Sequence, residues 1–476
     1  MYVAVAVVAA CMGSAWALLT PPFQVPDEPS HFAYAQYLGE TLRLPGGDPS
    51  APQYSDEAAA YLGNLGAGAL IGQVHVVVPA ESDPGPAGLA DTKLLRDNGG
   101  GRTGASSHPP LYYLLEALPY RVFSGSDLTL RMLMMRLLSV LFFTGSAVLV
   151  ALLAAEFFPR TPWAPAVAGL SIGLQPVMGF IAGGVSPDSL LTFLAVALML
   201  ALVRGIRRPS ARAAIWIGGV AGLGALSKLT FLAFLPAAVV GLLVVGGRVA
   251  RNRGPWRGVT VTGVGAVALV APLIVYVAWT VLQGRGLLPP GVSTPSMDPA
   301  FIQPRTNREL LSYMWQLYLP RVPGQVDFFG YSPIVNTWAH GFIGRYGWLD
   351  YGAPAWMMTL GSWILGLLGV LAVIGLGRNW RRVRDGWAEL TVLGIAALGL
   401  LVLVASGGYE YKRTTGLVFE QARYLFPLAG LYGAAVVAAC LSVGRRWAGT
   451  FAVVLVILAA THALSGLLLT VARYYG

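Results

Sequence analysis

Lysine is nearly missing from this sequence. Of 32 basic residues only Lys93, Lys228 and Lys412 are lysines, a bias that, with the abundance of alanine, glycine and valine, points to a GC-rich bacterial genome. Charge of either sign is also scarce: 11% of the 476 residues are charged and 55% are hydrophobic, with a mean hydropathy of +0.63. That balance excludes a soluble domain of this length and leaves a polytopic membrane protein. The two cysteines, Cys11 and Cys440, both lie inside apolar runs, so no disulfide or metal framework is read from them. The net charge of +10 comes without a basic cluster in a base-reading context, so nucleic acid is not an expected partner. No Lys or Arg precedes Arg43. The first apolar run therefore lacks the basic n-region of a secretory signal, and no cleavage site is evident. It reads as a retained helix, with a cytoplasmic leader either very short or missing from this numbering.

What is present is a succession of apolar runs long enough to cross a bilayer. They fall at 2–20, 132–156, 163–181, 189–203, 213–226, 230–245, 259–282, 353–376, 387–405, 424–442 and 447–471, which makes eleven. Short loops around Arg204–Arg212, Arg248–Arg257, Arg378–Arg384 and Arg445–Arg446 are basic. Such loops belong in the cytoplasm. Parity then makes 213–245 a hairpin with Ser227-Lys228 at its tip, and puts 21–131, 183–188, 283–352 and 406–423 on the outer side. The expected architecture is a single all-α transmembrane domain over 1–476, with two long outer loops at 21–131 and 283–352 and no separate soluble C-terminal domain.

The first outer loop begins with Pro26-Asp27-Glu28-Pro29-Ser30-His31 and ends with His108-Pro109-Pro110-Leu111-Tyr112-Tyr113. Its middle, 45–104, is rich in Gly, Pro, Ser and Asp and predicts irregular or mobile structure. Its ends, 29–42 and 109–123, have the spacing and the proline placement of interfacial helices. The second long loop opens with Pro289-Pro290-Gly291, predicts a helix over 307–319, and then turns aromatic, from Phe328 to Tyr351.

Each polar motif carries a plain reading beside a chemical one. Asp27 and Glu28 either start a loop or helix, with Asp27 as N-cap, or supply a carboxylate base at the membrane surface. Glu28 and His31 share a helix face and could ligate a metal, but a second such pair is missing. His108 is a solvated neighbour of a helix start, or an imidazole that bonds a phosphate or sugar hydroxyl. Asp188 caps the helix beginning at Ser189, or orients an acceptor. Lys228 and Arg423 snorkel to headgroups, or clamp a lipid-linked phosphate where water is scarce. Glu420 pairs with Arg423 on one helical face. The aromatics Trp338, Tyr346 and Trp348 belong to an interfacial belt or stack on sugar rings.

Taken together, these motifs resemble the GT-C superfamily of integral-membrane glycosyltransferases. The features are the Asp-Glu pair after the first span, His-Pro-Pro-Leu-Tyr-Tyr before the second, Ser186-Pro187-Asp188, Leu226-Ser227-Lys228-Leu229-Thr230 and Gln421-Ala422-Arg423-Tyr424-Leu425-Phe426-Pro427. The likeness is closest to a bacterial branch with Pro-Asp-Glu and Arg-Tyr-Leu-Phe-Pro signatures, related to protein mannosyltransferases and aminoarabinose transferases. It implies inverting transfer of one sugar from a polyprenyl-phosphate donor to an envelope polysaccharide, glycolipid or protein, on the outer face of a bacterial plasma membrane. By the same resemblance Asp27 is the base, Glu28 its neighbour and an acceptor-orienting group, His108 lies near the donor, and His31 and Glu420 join the acceptor-orienting residues. Asp188 falls at the second acidic position. With Asp27, Glu28, His31 and Asp188 as the candidate metal ligands, no cofactor is expected and metal-independent transfer is favoured. The rival readings are a transporter or lipid flippase, and an inactive envelope-assembly scaffold. The absence of an internal repeat and the clustering of charge at one boundary disfavour the transporter.

Overall fold

The computed structural model describes residues 1–48, 50–64, 94–284 and 306–476. The Pro289-Pro290-Gly291 turn and half of the irregular stretch expected at 45–104 lie outside the described residues. The chain begins with α1 (Tyr2–Leu19), α2 (Glu28–Thr41), α3 (Asp56–Asn64) and α4 (Leu111–Val122). There follow α5 (Leu128–Phe157), α6 (Ala164–Gly173), α7 (Pro176–Ala182), α8 (Pro187–Arg207), α9 (Ala211–Ala225), α10 (Leu235–Arg253) and α11 (Pro255–Leu282). The second half holds α12 (Asn307–Tyr318), α13 (His340–Gly344), α14 (Ala355–Arg378), α15 (Trp380–Asp385), α16 (Trp387–Thr415), α17 (Ala429–Ser442) and α18 (Ala448–Tyr474). Strand structure among the described residues is a two-residue antiparallel ladder, β1 (Arg345–Tyr346) with β2 (Tyr351–Gly352).

Local chemistry sets these boundaries. Asp127 caps α5 by accepting from the Leu130 N–H at 2.7 Å, and Ser210 caps α9 by accepting from Ala213 at 3.2 Å. Arginines fill the last turns of α8 and α10, where the helix dipole favours them. Helices form at the expected positions near 29–42 and 109–123, as α2 and α4, and the helix expected at 307–319 forms as α12.

The expected count of about eleven spans is not confirmed. Among the described residues nine helical stretches are long and apolar enough to cross a membrane, or ten if a bent pair is one span. All eleven apolar runs do become helical, but two fall short for physical reasons. At 15 residues, α9 rises about 22 Å, short of the roughly 30 Å hydrocarbon core. The run 163–181 breaks into α6 and α7, bent by 59°. At that break the Gln175 side chain caps α7 by accepting from Met178 at 2.5 Å, and Pro176 occupies the first turn. The turn between α9 and α10 falls at Ser227-Lys228 as expected.

Helix α8 is the pillar of the bundle. Its apolar window is 78% buried, against 11% for those of α11 and α14, which present unpartnered apolar side chains outward. The turn that feeds α8 packs closely on the end of α1. A Cβ on Gly183 would stand 2.7 Å from the Trp16 Cβ, and one on Gly184 would stand 2.6 Å from the Val25 side chain. Only glycine permits that approach, and it brings the start of α8 beside the Asp27 turn.

Candidate functional site

Asp27 and Glu28 are adjacent in sequence and go opposite ways. Asp27 occupies the N-cap position of α2, but at φ 64°, in the left-handed region, and its side chain makes no capping bond. Aspartate tolerates that region better than most residues. The expected capping role is thus replaced. The half-exposed carboxylate instead accepts from Arg423 Nη2 at 2.5 Å. Glu28 turns inward, fully buried, and receives Arg136 through Nε at 2.8 Å and Nη2 at 2.7 Å, together with the Val185 N–H at 2.9 Å. It braces α2 against α5 and the α7–α8 turn and does not join the Asp27 cluster.

Asp188 stands in the first turn of α8, and the N-cap is Ser186, with Pro187 between them, instead of the expected Asp188. Freed from capping, the buried Asp188 carboxylate accepts from Lys228 Nζ at 2.6 Å and lies 3.6 Å from Arg423 Nη1. Four charges, from the N-cap of α2, from α8, from the α9–α10 turn and from the turn before α17, thus form one chain: Asp27, Arg423, Asp188, Lys228. Tyr424 closes it from one side, 5.5 Å from the Arg423 guanidinium and 6.0 Å from Lys228 Nζ, ring centroid to cation.

The two expected histidines flank this chain. Their rings stack with centroids 6.0 Å apart, and His31 Nδ1 bonds the Tyr113 hydroxyl at 2.9 Å. Burial holds His31 down at about 3 despite the nearby Asp27 carboxylate, and lowers His108 well below the usual histidine range. In both, burial favours the neutral imidazole. His108 Nδ1 is buried without a hydrogen-bond partner. Burial pushes the Asp27 carboxyl up, but the Arg423 guanidinium outweighs it and the group settles at about 2. Among the described residues no three His, Cys, Asp or Glu side chains are grouped to hold a metal ion.

Glu420 departs from expectation. The residues before Ala422 are not helical, so it shares no helix face with Arg423. Its carboxylate accepts from the Tyr313 hydroxyl on α12 and from the Phe419 N–H, and burial raises its pKa. Tyr346 also departs, since neither an interfacial belt nor sugar stacking fits a side chain buried between Trp16 and Phe180 at ring-centroid distances of 5.2 and 5.6 Å.

Beside the four-charge chain opens a cavity of about 430 Å³, lined among others by Pro26, Phe180, Arg345, Leu349, Glu420 and Arg423. Its volume is that of a site for a small ligand or headgroup. Arg136, Tyr313 and Arg345 escaped the sequence reading, and Tyr113 entered it only as the end of the His108–Tyr113 run. Only Arg136 had a signal there, as a charge inside an apolar run, which demands a partner.

Membrane-crossing helices around a largely buried chain of alternating charges define a polytopic integral membrane protein. The chain belongs to the family described as "Predicted membrane protein (DUF2142)", whose sequence pattern matches residues 11–432. No curated protein matches it. In fold it is similar to ArnT from Cupriavidus metallidurans bound to undecaprenyl phosphate, with TM-score 0.49 and 15% identity over 97% of this chain and 63% of that one. Another similar structure is the archaeal oligosaccharyltransferase AglB from Archaeoglobus fulgidus in complex with an inhibitory peptide and a dolichol-phosphate, with TM-score 0.49 and 15% identity over 100% of this chain and 56% of that one. The arabinosyltransferase EmbB from Mycobacterium smegmatis gives TM-score 0.39 and 12% identity over 99% and 41%. The chain spans less than two thirds of the length of these three.

Proposed function

We propose that this protein is a glycosyltransferase that moves one sugar from a polyprenyl-phosphate donor to an envelope acceptor at the outer membrane boundary, with Asp27 as general base. The observation that carries the reading is the half-exposed Asp27 carboxylate held by Arg423 beside the 430 Å³ cavity. In the reaction an acceptor hydroxyl oxygen bonds to the anomeric carbon as the bond from that carbon to the phosphate oxygen breaks. The hydroxyl proton passes to Asp27, and the phosphate leaves on its lipid with both bonding electrons. Arg423 compensates the charge that develops on the leaving oxygen. Asp188 keeps Arg423 oriented and is itself balanced by Lys228. The neutral imidazoles of His31 and His108 are fitted to hydrogen-bond a sugar or acceptor hydroxyl. No divalent metal is required in this reading, and the acceptor is a polysaccharide, a glycolipid or a protein.

The Asp27–Arg423 pair gives this scheme a control step. A carboxylate at about 2 is a poor base. Arrival of the donor phosphate at Arg423 draws the guanidinium away, and the pKa of Asp27 then rises toward that of a working base. Basicity is switched on by the donor.

The test is label transfer from a panel of polyprenyl-phosphate sugars to an envelope fraction, by wild type and Asp27→Asn side by side, with and without EDTA. Asp27→Asn keeps shape but cannot take the proton, and turnover is expected to fall roughly 10²-fold or more. Near-normal turnover by a folded variant would falsify the role of Asp27. Lack of transfer from every donor moves the reading to a flippase or scaffold.

A further inference from the structure

Arg345 was not among the candidate residues, and its setting is unusual for this protein. The ladder of β1 and β2 pairs Arg345 with Gly352 and Tyr346 with Tyr351, and Gly347 at φ 59° and Leu349 at φ 67° make the tight reversal between them. Successive residues of an extended segment face opposite sides. Tyr346 is locked into the core against Trp16 and Phe180, so Arg345 is turned to the other side, where it lines the cavity. The ladder is fixed from behind. Buried Asp350 pairs with Arg473 of α18 at 3.0 Å, and the Trp348 indole N–H donates to the Phe23 carbonyl at 3.3 Å.

Helix α13, which ends immediately before Arg345, rests directly on the turn that carries Arg423. A Cβ on Gly341 would come within 2.9 Å of the Ala422 Cβ. The two arginines therefore sit on elements in mutual contact, and both line the cavity. Among the described residues the Arg345 side chain has no hydrogen bond and no carboxylate partner. Arg423 uses Nη2 on Asp27, while its Nε and Nη1 are buried without a hydrogen bond. A buried guanidinium with idle N–H groups is costly unless a ligand completes it. Of the residues described as lining this cavity, Glu420 alone is acidic, and it is engaged by Tyr313.

We propose that Arg345 and Arg423 form the phosphate-binding end of this cavity, with Arg345, and not Lys228, as the second cation of the clamp. Lys228 is held by Asp188 at 2.6 Å and does not line the cavity; Arg345 does and is unengaged. Two forked guanidiniums suit the tetrahedral oxygens of a phosphate monoester or diester better than an ammonium already in an ion pair. That the phosphate belongs to a lipid carrier rests on the transferase reading; that the site takes phosphate does not.

The experiment measures binding to the full chain in lipid nanodiscs, with polyprenyl phosphate, the uncharged polyprenol and inorganic phosphate as probes. Arg345→Gln is expected to weaken polyprenyl phosphate about tenfold or more, leave polyprenol binding and the melting temperature unchanged, and be partly rescued as Arg345→Lys. Competition by inorganic phosphate in wild type, lost in Arg345→Gln, supports the headgroup site in the same way. Equal affinity of wild type and Arg345→Gln for polyprenyl phosphate overturns the Arg345 assignment and leaves the transferase reading standing. Binding of inorganic phosphate through Arg345 with no affinity for polyprenyl phosphate keeps the site and removes the lipid donor. Failure of wild type to bind either phosphate overturns both.

Discussion

Two buried arginines meet neighbouring carboxylates, and the contrast between them separates support from chemistry. Arg136 has every N–H used. Nε and one Nη2 hydrogen go to Glu28, the other Nη2 hydrogen goes to the Pro21 carbonyl at 2.9 Å, and Nη1 takes the carbonyls of Ala17 and Thr20 at 3.1 and 2.6 Å. Arg423 uses one nitrogen, on a half-exposed carboxylate, and leaves two buried nitrogens without a hydrogen bond. A saturated pair fixes geometry and has nothing left to offer a ligand. An unsaturated one beside a cavity does.

The largest test of this contrast is on the saturated side. Glu28→Ala strands Arg136 in the interior with its charge uncompensated, at a cost of about 3–5 kcal/mol. Expression and the melting temperature in detergent should both fall sharply. Asp27→Asn, one residue earlier, should leave the melting temperature near wild type while turnover drops. If Asp27→Asn melted as early as Glu28→Ala, the two pairs would be of one kind and the distinction would be lost.

A smaller effect is expected at Lys228. Lys228→Gln leaves the Asp188 carboxylate buried, but Arg423 Nη1 already lies 3.6 Å from Asp188 Oδ2 and can close on it. The stability loss should therefore be milder than at Glu28, about 1–3 kcal/mol. A double-mutant cycle of Lys228→Gln with Asp188→Asn, read by chemical denaturation, measures the coupling. A loss equal to that of Glu28→Ala would mean that Arg423 cannot exchange partners, and would remove the switch proposed for Asp27.

Much of this was legible in the sequence because it is written in local pattern. Apolar run length located all eleven helical segments, and Pro29 and Pro109-Pro110 marked the starts of α2 and α4. The site was half legible. Asp27, His31, His108, Asp188, Lys228 and Arg423 do come together, since motifs at the ends of neighbouring spans converge wherever the spans pack. Partner choice was not legible. Asp27 sits at φ 64° and pairs with Arg423, while Glu28 beside it pairs with Arg136. Helix phase alone does not reveal it. Likewise Glu420 missed Arg423 because the chain before Ala422 is extended, where the spacing predicted a helix. Arg345 carried no signal, because its importance lies in an orientation imposed by the buried Tyr346 beside it.

The finest comparison is of protonation within the cluster. His31 faces Asp27, Asp188, Lys228, Arg423 and His108, and burial sets its pKa to about 3. An unfolded chain would protonate it near 6.5. Between those values the unfolded state binds one proton more than the native state, so stability rises with pH. The contribution is complete above about pH 6.5 and is lost as pH falls toward 3, at a slope of about 1.4 kcal/mol per pH unit. Asp27 has the same sign in a lower window. Its native value of about 2 lies below the ordinary 3.8, so its contribution is intact above about pH 4 and fades only below that. Denaturation of wild type and His31→Asn from pH 7 to 4.5 tests this, because asparagine can keep a bond to Tyr113 but does not titrate. The variant should show a shallower decline by about one proton. A parallel decline would place a proton on His31 in the native state, and the imidazole would then be a third cation at the Asp27 carboxylate.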